Sequence, residues 1–316
     1  MSKKKLLICG GTGFIGKNFV EYFSSKDKYD ITSTYFRSDP YDAPDIDWIR
    51  ADLTNKDDVG KVVYGKDIIL QMAATTSGAK DIIERPQIHV TDNAIMNSLL
   101  LSSVFDNSTP HFIFPSCTVM YNPSETPLKE TDFDENEFIL PNYFGVGNTK
   151  VYIEKMCDFF SRQGRTKHTV LRHSNIYGPH DKFDLERSHV FGATMTKVMT
   201  STNGRINIWG DGTEKRDLLY VADLANFVEL AIANQTEAYG LYNVGSGDAI
   251  SINGLVRKII DASGKELEMV HDTSKPSIKT SLSLETSKAY NELGWKPATT
   301  LDEGIEKTMD WYKNNI

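Results

Sequence analysis

The residues whose chemistry is easiest to read stand near the start of the chain, at Gly10-Gly11-Thr12-Gly13-Phe14-Ile15-Gly16. Glycines at this spacing leave backbone N–H groups uncovered, and phosphate oxygens are what such a loop accepts. Gly10 allows a tight turn, Gly13 lets the backbone approach a pyrophosphate, and Gly16 lets a helix pack closely on a sheet. Phe14 and Ile15 open that helix. An NAD site places an acidic residue about twenty residues further on, against the ribose hydroxyls. Here the second strand ends Thr34-Tyr35-Phe36-Arg37-Ser38, with no carboxylate before Asp39. Arg37 suits a 2′-phosphate instead, because a guanidinium forks onto phosphate. The cofactor expected is therefore NADP, with NAD as the alternative. Asp52 and Leu53 are placed to touch the adenine, and Ala73 and Ala74 let the backbone lie close to the cofactor.

These residues need strands and helices to hold them. Lys5–Cys9 is a short apolar run of the kind found in parallel strands buried on both faces. The pattern predicts helices over Phe14–Ser24, Lys56–Val63, Thr91–Phe105 and Thr149–Phe160. It predicts strands over Asp30–Phe36, Asp67–Ala73 and His111–Ser116, and another beginning at Thr169–Arg172. Strands alternating with helices imply an α/β fold with a doubly wound parallel sheet. Beyond Tyr177 the elements shorten. Val221–Ala233, Asn253–Ala262 and Thr300–Asn315 read as helices and Gly240–Val244 as a strand. The division expected is a dinucleotide-binding domain over 1–176, with 213–245 returning to it. A smaller, discontinuous substrate-binding domain takes 177–212 and 246–316.

Charge and composition exclude several classes. The chain has 316 residues, and 35 Lys+Arg against 43 Asp+Glu give a net charge of −8. A nucleic-acid or anionic-membrane surface needs clustered positive charge, so neither partner is expected. Cys9, Cys117 and Cys157 have no metal-ligand spacing and make a poor disulfide framework, so no metal is expected. No apolar run reaches the roughly 18 residues of a membrane span. The opening segment, MSKKKLLICGG, breaks into glycines too soon for a leader. A soluble, cytoplasmic protein is the expectation.

Five ordered motifs then bear a resemblance. They are the glycine loop, Leu171-Arg172-His173-Ser174-Asn175-Ile176-Tyr177-Gly178-Pro179, and Trp209-Gly210-Asp211-Gly212 through Arg216-Asp217-Leu218-Leu219-Tyr220-Val221-Ala222-Asp223. Asn243-Val244-Gly245-Ser246-Gly247 and Leu293-Gly294-Trp295-Lys296-Pro297 complete the set. Together they resemble the extended short-chain dehydrogenases/reductases, the NAD(P)-dependent epimerases and dehydratases of nucleotide sugars. The likeness is nearest to the GDP-L-fucose synthase branch, through Tyr177–Phe183 and Ser188-His189-Val190. It implies a Rossmann-type domain, a substrate-binding domain and a homodimer. It also implies a nucleotide-sugar substrate whose diphosphate meets Arg216 and Asn175. At the matching positions His189 would be the acid and Cys117 the base of C3/C5 epimerisation.

The central pair of that family is a tyrosine four residues before a lysine. The lysine lowers the phenol's pKa and holds the nicotinamide ribose of the cofactor, and the phenol exchanges a proton with the sugar oxygen as hydride moves. Lys150 matches the lysine, but Val146 stands where the tyrosine belongs. Tyr143 lies seven before Lys150, one helical turn too far on a continuous helix. Pro141 holds Leu140 extended, so the helix is expected to begin near Gly147, with Tyr143 in an irregular approach that folds back toward Lys150. The strand-end hydroxyl of the family falls on Ser116 or Thr118, with Cys117 between. The expected function is 4-keto reduction or C3/C5 epimerisation of a nucleotide-diphosphate sugar. The alternatives are a non-catalytic dinucleotide-binding protein and a nucleotide-sugar dehydratase.

Overall fold

The computed structural model describes residues 2–76, 79–185, 188–275 and 280–316. The chain runs β1 (Lys4–Cys9), α1 (Phe14–Ser24), β2 (Tyr29–Tyr35), β3 (Ile46–Arg50), α2 (Lys56–Val63), β4 (Ile68–Gln71), α3 (Ala79–Glu84), α4 (Thr91–Asp106) and β5 (His111–Pro115). It continues through α5 (Phe144–Ser161), β6 (Lys167–His173), β7 (Asn175–Tyr177), α6 (Val190–Thr200), β8 (Arg205–Trp209), β9 (Lys215–Tyr220) and α7 (Val221–Asn234). β10 (Tyr239–Val244), β11 (Ala249–Ser251), α8 (Ile252–Ser263), β12 (Glu268–Asp272), α9 (Ser287–Leu293) and α10 (Leu301–Asn315) complete it.

Among the described residues the largest sheet has seven strands in the order β10-β6-β5-β4-β1-β2-β3, all parallel. Its strands are apolar on both faces because helices cover both. Phe19 and Phe23 of α1 pack with Leu224, Phe227 and Val228 of α7, and with Trp295, on one face. Val59, Val62, Leu100, Val104, Ile153 and Cys157, from α2, α4 and α5, cover the other. The strand order reverses between β1 and β4. At such a switch point the loops part and leave a crevice at the carboxyl ends of the strands, where α/β proteins bind ligands.

Apart from α7, β10 and α9, which belong to the large sheet and its cover, the chain after β6 builds a second core. β7, β9 and β11 form a three-stranded sheet, and β8 pairs with β12. Phe191 and Met195 of α6, Leu255 and Ile259 of α8, and Ile305 and Met309 of α10 pack between them. α10 starts with a capping box, in which Thr300 Oγ1 accepts from Glu303 N and the Glu303 carboxylate accepts from Thr300 N. The strands β7, β8, β9, β11 and β12 and the helices α6 and α9 carry no sequence expectation, because each is short or interrupted by turn residues.

One expected boundary is corrected. α5 begins at Phe144, three residues before Gly147. Asn148 Nδ2 donates to Phe144 O at 2.7 Å, and Thr149 Oγ1 donates to Gly145 O at 2.9 Å. Both bonds fall on the carbonyls of Phe144 and Gly145, in the first helical turn. Before them, Leu140 is extended and Pro141–Tyr143 forms one 3₁₀ turn, so Tyr143 does lie outside the α-helix.

Candidate active site

The crevice begins at the glycine loop. Gly10 has φ of +74°, and a Cβ there would stand 2.8 Å from Ala73 Cα. Any side chain at 10 would push the two loops apart, so Gly10 and Ala73 form one narrow floor. A Cβ on Gly16 would overlap the Gly10 carbonyl, so the third glycine seats α1 against the loop. Gly13 is the N-cap of α1, with no capping side chain and no acidic residue in the first turn. The first N–H groups of α1 are therefore left for an anion. Phe14 and Ile15 lean into the core beside the loop. This cradle fits the pyrophosphate of a dinucleotide.

At its outer edge Arg37 is exposed, with its guanidinium 5.7 Å from the Phe36 ring centroid. Asp52 accepts from the hydroxyl and N–H of Thr54, which with the Arg37 charge hold its carboxyl below the usual range. Leu53 sends its side chain into the core with Val59. Ala74 is exposed on the loop after β4.

At the ends of β5 and β6 a second group of side chains converges. Lys150 Nζ donates to Pro115 O at 2.8 Å and lies 4.7 Å from the Phe114 ring centroid. Burial lowers the Lys150 pKa, while the charges of Cys117 and Glu154 oppose that shift. Burial pushes the Cys117 thiol up, with Lys150 and the Val119 N–H pulling against it. Burial also raises the Tyr143 phenol, and Arg216 counters it. Lys150, Cys117, Tyr143 and Arg216 thus form one electrostatic cluster. Within it Tyr143 acts on Cys117 and Arg216, and Lys150 acts on Cys117. Arg216 comes from β9 and donates to Lys215 O and Thr280 O at 2.8 and 2.5 Å.

One expectation changes here. Ser116 is fully buried and its hydroxyl donates to Glu154, so it serves α5 and turns away from the crevice. Thr118, half-buried on the turn after β5, keeps the position of a strand-end hydroxyl. Asn175 Nδ2 donates to Asp217 O at 3.2 Å, which ties β7 to β9. His189 is the N-cap of α6, yet its imidazole makes no capping bond. Burial and the charges of Lys182 and His89 lower its pKa.

Several residues at the site escaped sequence reading. His173, at the end of β6, hydrogen-bonds through Nδ1 to Ser174 O at 2.7 Å, and burial pushes its pKa down to about 4. The charges of Lys150 and His189 both act on it. Glu154 and Arg172 form a buried ion pair at 2.7 Å behind Lys150. Arg172 also donates to Tyr121 Oη at 2.9 Å and Glu130 O at 3.1 Å. Glu154 follows Lys150 by four residues, so it shares that helix face. That spacing was a usable signal. His173 had none beyond its place in a motif.

The segment after β7 is strapped across the crevice. Pro179 O accepts from Asn18 Nδ2 at 2.8 Å, His180 Nε2 meets Glu21 Oε1 at 2.7 Å, and Lys182 Nζ donates to Thr76 O at 3.1 Å. His180 holds φ of +65°, a strained conformation for a residue with a Cβ.

Known proteins bear on this geometry. GDP-L-colitose synthase from Yersinia pseudotuberculosis is 27% identical over 315 residues, 98% of each chain. GDP-L-fucose synthase from Azorhizobium caulinodans is 28% identical over 317 residues, covering 98% of this chain and 96% of that one. The crystal structure of a UDP-glucose 4-epimerase from Thermotoga maritima with UDP-glucose superposes with a TM-score of 0.86 at 24% identity. It covers 98% of this chain and 99% of that one, and shows the shared fold. The NAD dependent epimerase/dehydratase family matches residues 6–245. That span runs from β1 through β10 and takes in the glycine loop, Lys150 and Arg216, so the chain belongs to the NAD dependent epimerase/dehydratase family.

Proposed function

We propose that this protein is an NAD(P)-dependent enzyme that reduces a 4-keto nucleotide-diphosphate sugar or epimerises it at C3/C5. The observation that carries the reading is the meeting of Lys150, Cys117, Tyr143 and Arg216 beside a dinucleotide cradle. A nicotinamide dinucleotide, when bound, supplies the hydride chemistry. The glycine loop and the α1 N-terminus hold its pyrophosphate, and Arg37 favours a 2′-phosphate. Lys150 places a positive charge at the end of β5, where it stabilises a developing oxyanion. Tyr143 donates a proton to a sugar oxygen, since Val146 has none. Cys117 and His189 move protons at carbon, as base and acid. Arg216 takes the diphosphate, for which a fork of donors suits two anionic groups. Asn175 lines the same side.

Residues 1–176 and 213–245 serve the dinucleotide in this reading, and the remainder serves the sugar nucleotide. The protein works in the cytoplasm as a homodimer.

Substitutions test the roles separately. Tyr143→Phe should lose about 10²–10⁴-fold in turnover with nearly unchanged cofactor affinity, the usual contribution of a general acid. Turnover is read from nicotinamide absorbance, and exchange at C3/C5 from deuterium entering the sugar from solvent. If Tyr143→Phe is fully active while Cys117→Ala or His189→Ala abolishes exchange, epimerisation replaces reduction. If all three match the parent protein, the non-catalytic reading gains.

A further inference from the structure

We propose that Ser116, through its bond to Glu154, is a positioning residue that sets where the Lys150 ammonium meets the dinucleotide. The inference rests on the dinucleotide part of the reading above. Two links tie α5 to the end of β5. Lys150 Nζ donates to Pro115 O at 2.8 Å, and the Ser116 hydroxyl donates to Glu154 Oε1. Pro115 and Ser116 are consecutive, while Lys150 and Glu154 stand one turn apart on one helix face. The carbonyl that receives the lysine is therefore held in place by the very next residue.

A lysine needs such a fixed acceptor. Its stem is flexible, and its ammonium goes where its hydrogen bonds take it. Among the described residues Lys150 Nζ has one hydrogen bond, to Pro115 O, and the Phe114 ring centroid lies 4.7 Å away. An ammonium has three donors, so two remain for a ligand. Where those two point depends on where the Pro115 carbonyl stands.

Ser116 is anchored on two sides. Its N–H donates to Leu171 O at 2.8 Å, which continues the pairing of β5 with β6. Its hydroxyl meets a carboxylate that has no freedom to turn. Glu154 accepts from Arg172 Nε at 3.1 and 3.2 Å and from Nη2 at 2.7 Å. Arg172 is held in turn by Tyr121 Oη at 2.9 Å and Glu130 O at 3.1 Å, and Tyr121 Oη donates to Asn243 Oδ1 at 2.8 Å. Ser116 is fully buried and Glu154 nearly so, so bulk water does not compete for their bond. Arg172 by itself pairs with the carboxylate. The Ser116 hydroxyl adds something else, because it joins that rigid post to the residue beside the lysine's acceptor.

The test is a double-mutant cycle read by calorimetric titration with NADPH, or with NADH if that binds more tightly. Lys150→Met should weaken binding at least about tenfold, the effect of one hydrogen bond to a charged group. Ser116→Ala should weaken it about threefold or more in the parent protein. In the Lys150→Met background Ser116→Ala should change nothing further, because it acts through the lysine. Glu154, Cys117 and His173 are the titratable groups that share charge interactions with Lys150. Glu154→Gln removes one that supports the ammonium, so the alkaline loss of cofactor affinity should move to lower pH. Ser116→Ala keeps the Glu154–Arg172 pair, so it carries the test even if Glu154→Gln fails to fold. An equal loss in both backgrounds, or a lower urea midpoint with unchanged cofactor affinity, overturns the inference. No sugar nucleotide enters the cycle, so that failure leaves the nucleotide-sugar reading standing. If neither cofactor binds the parent protein, both fall.

Discussion

Val146 and Arg37 are the two side chains on which the chemistry turns. Val146 removes the phenol that usually pairs with the lysine, while Lys150 keeps its bond to Pro115 O at 2.8 Å. The 3₁₀ turn at Pro141–Tyr143 brings a tyrosine within reach of the charges of Cys117 and Arg216, and the proposed reading takes it as the proton carrier. Arg37 is exposed beside the crevice and within electrostatic reach of Asp52. An exposed guanidinium loses little hydration on meeting a 2′-phosphate, so Arg37→Ala should weaken NADP(H) about tenfold or more. NAD(H) should be nearly unaffected. Calorimetric titration with both cofactors checks this, and tighter NAD(H) binding that Arg37→Ala leaves unchanged would refute the preference.

At the scale of elements, α5 is fixed to β5 and β6 by a buried polar network. Glu154 receives Arg172 and the Ser116 hydroxyl, and Arg172 reaches Tyr121 and Glu130. Arg172 and Glu154 are 3% and 4% exposed, so neither charge has water to fall back on. Removing one partner strands the other, at about 3–5 kcal/mol. Arg172→Met should therefore lower the urea midpoint sharply. Arg172→Met with Glu154→Leu should recover part of that loss, because no charge is then left buried. A double variant as unstable as the sum of the two singles would remove the argument.

For the whole molecule, two features have consequences in solution. His111 and His168 are buried in the seven-stranded sheet, far along β5 and β6 from the crevice. Burial pushes their pKa values down to about 3 and about 4. His111 Nε2 has Thr169 Oγ1 at 2.7 Å, while neither ring nitrogen of His168 has a partner among the described residues. Both stay neutral in the fold and charge in the unfolded chain near pH 6.5. The unfolded state then binds more protons, so stability is full above that pH and falls as pH drops toward 4. The slope reaches about 1.4 kcal/mol per pH unit for each histidine. Urea unfolding at pH 7.5, 5.5 and 4.5 should show the decline, and His168→Leu should flatten it. The second feature is an apolar face. Ile95 on α4 and Phe144, Tyr152 and Phe159 on α5 are exposed on two adjoining helices. A face of that kind marks a protein contact. Light scattering at micromolar concentration should give a dimer mass that Tyr152→Lys with Phe159→Lys reduces to the monomer. A monomer mass for the parent protein would refute the homodimer.

The sheet and its cradle were legible because their causes are local. Alternating apolar runs dictate buried strands and covering helices, and three glycines at fixed spacing dictate a turn that approaches a phosphate. Phe14–Ser24 and Lys56–Val63 were readable to the residue for that reason. The onset of α5 was not, because Pro141 opens a 3₁₀ turn that runs directly into the helix rather than delaying it. Which groups meet at the site was also beyond a linear reading. Ser116 turned out to serve Glu154, and His173 came within reach of the charges of Lys150 and His189. Lys182 crossed to the loop after β4. Each of these depends on segments far apart in the chain, brought together by burial and by the need to pair buried polar groups. Residue order alone fixed the periodicity and the glycine loop, and only the packed tertiary structure set which charges and hydrogen bonds face one another.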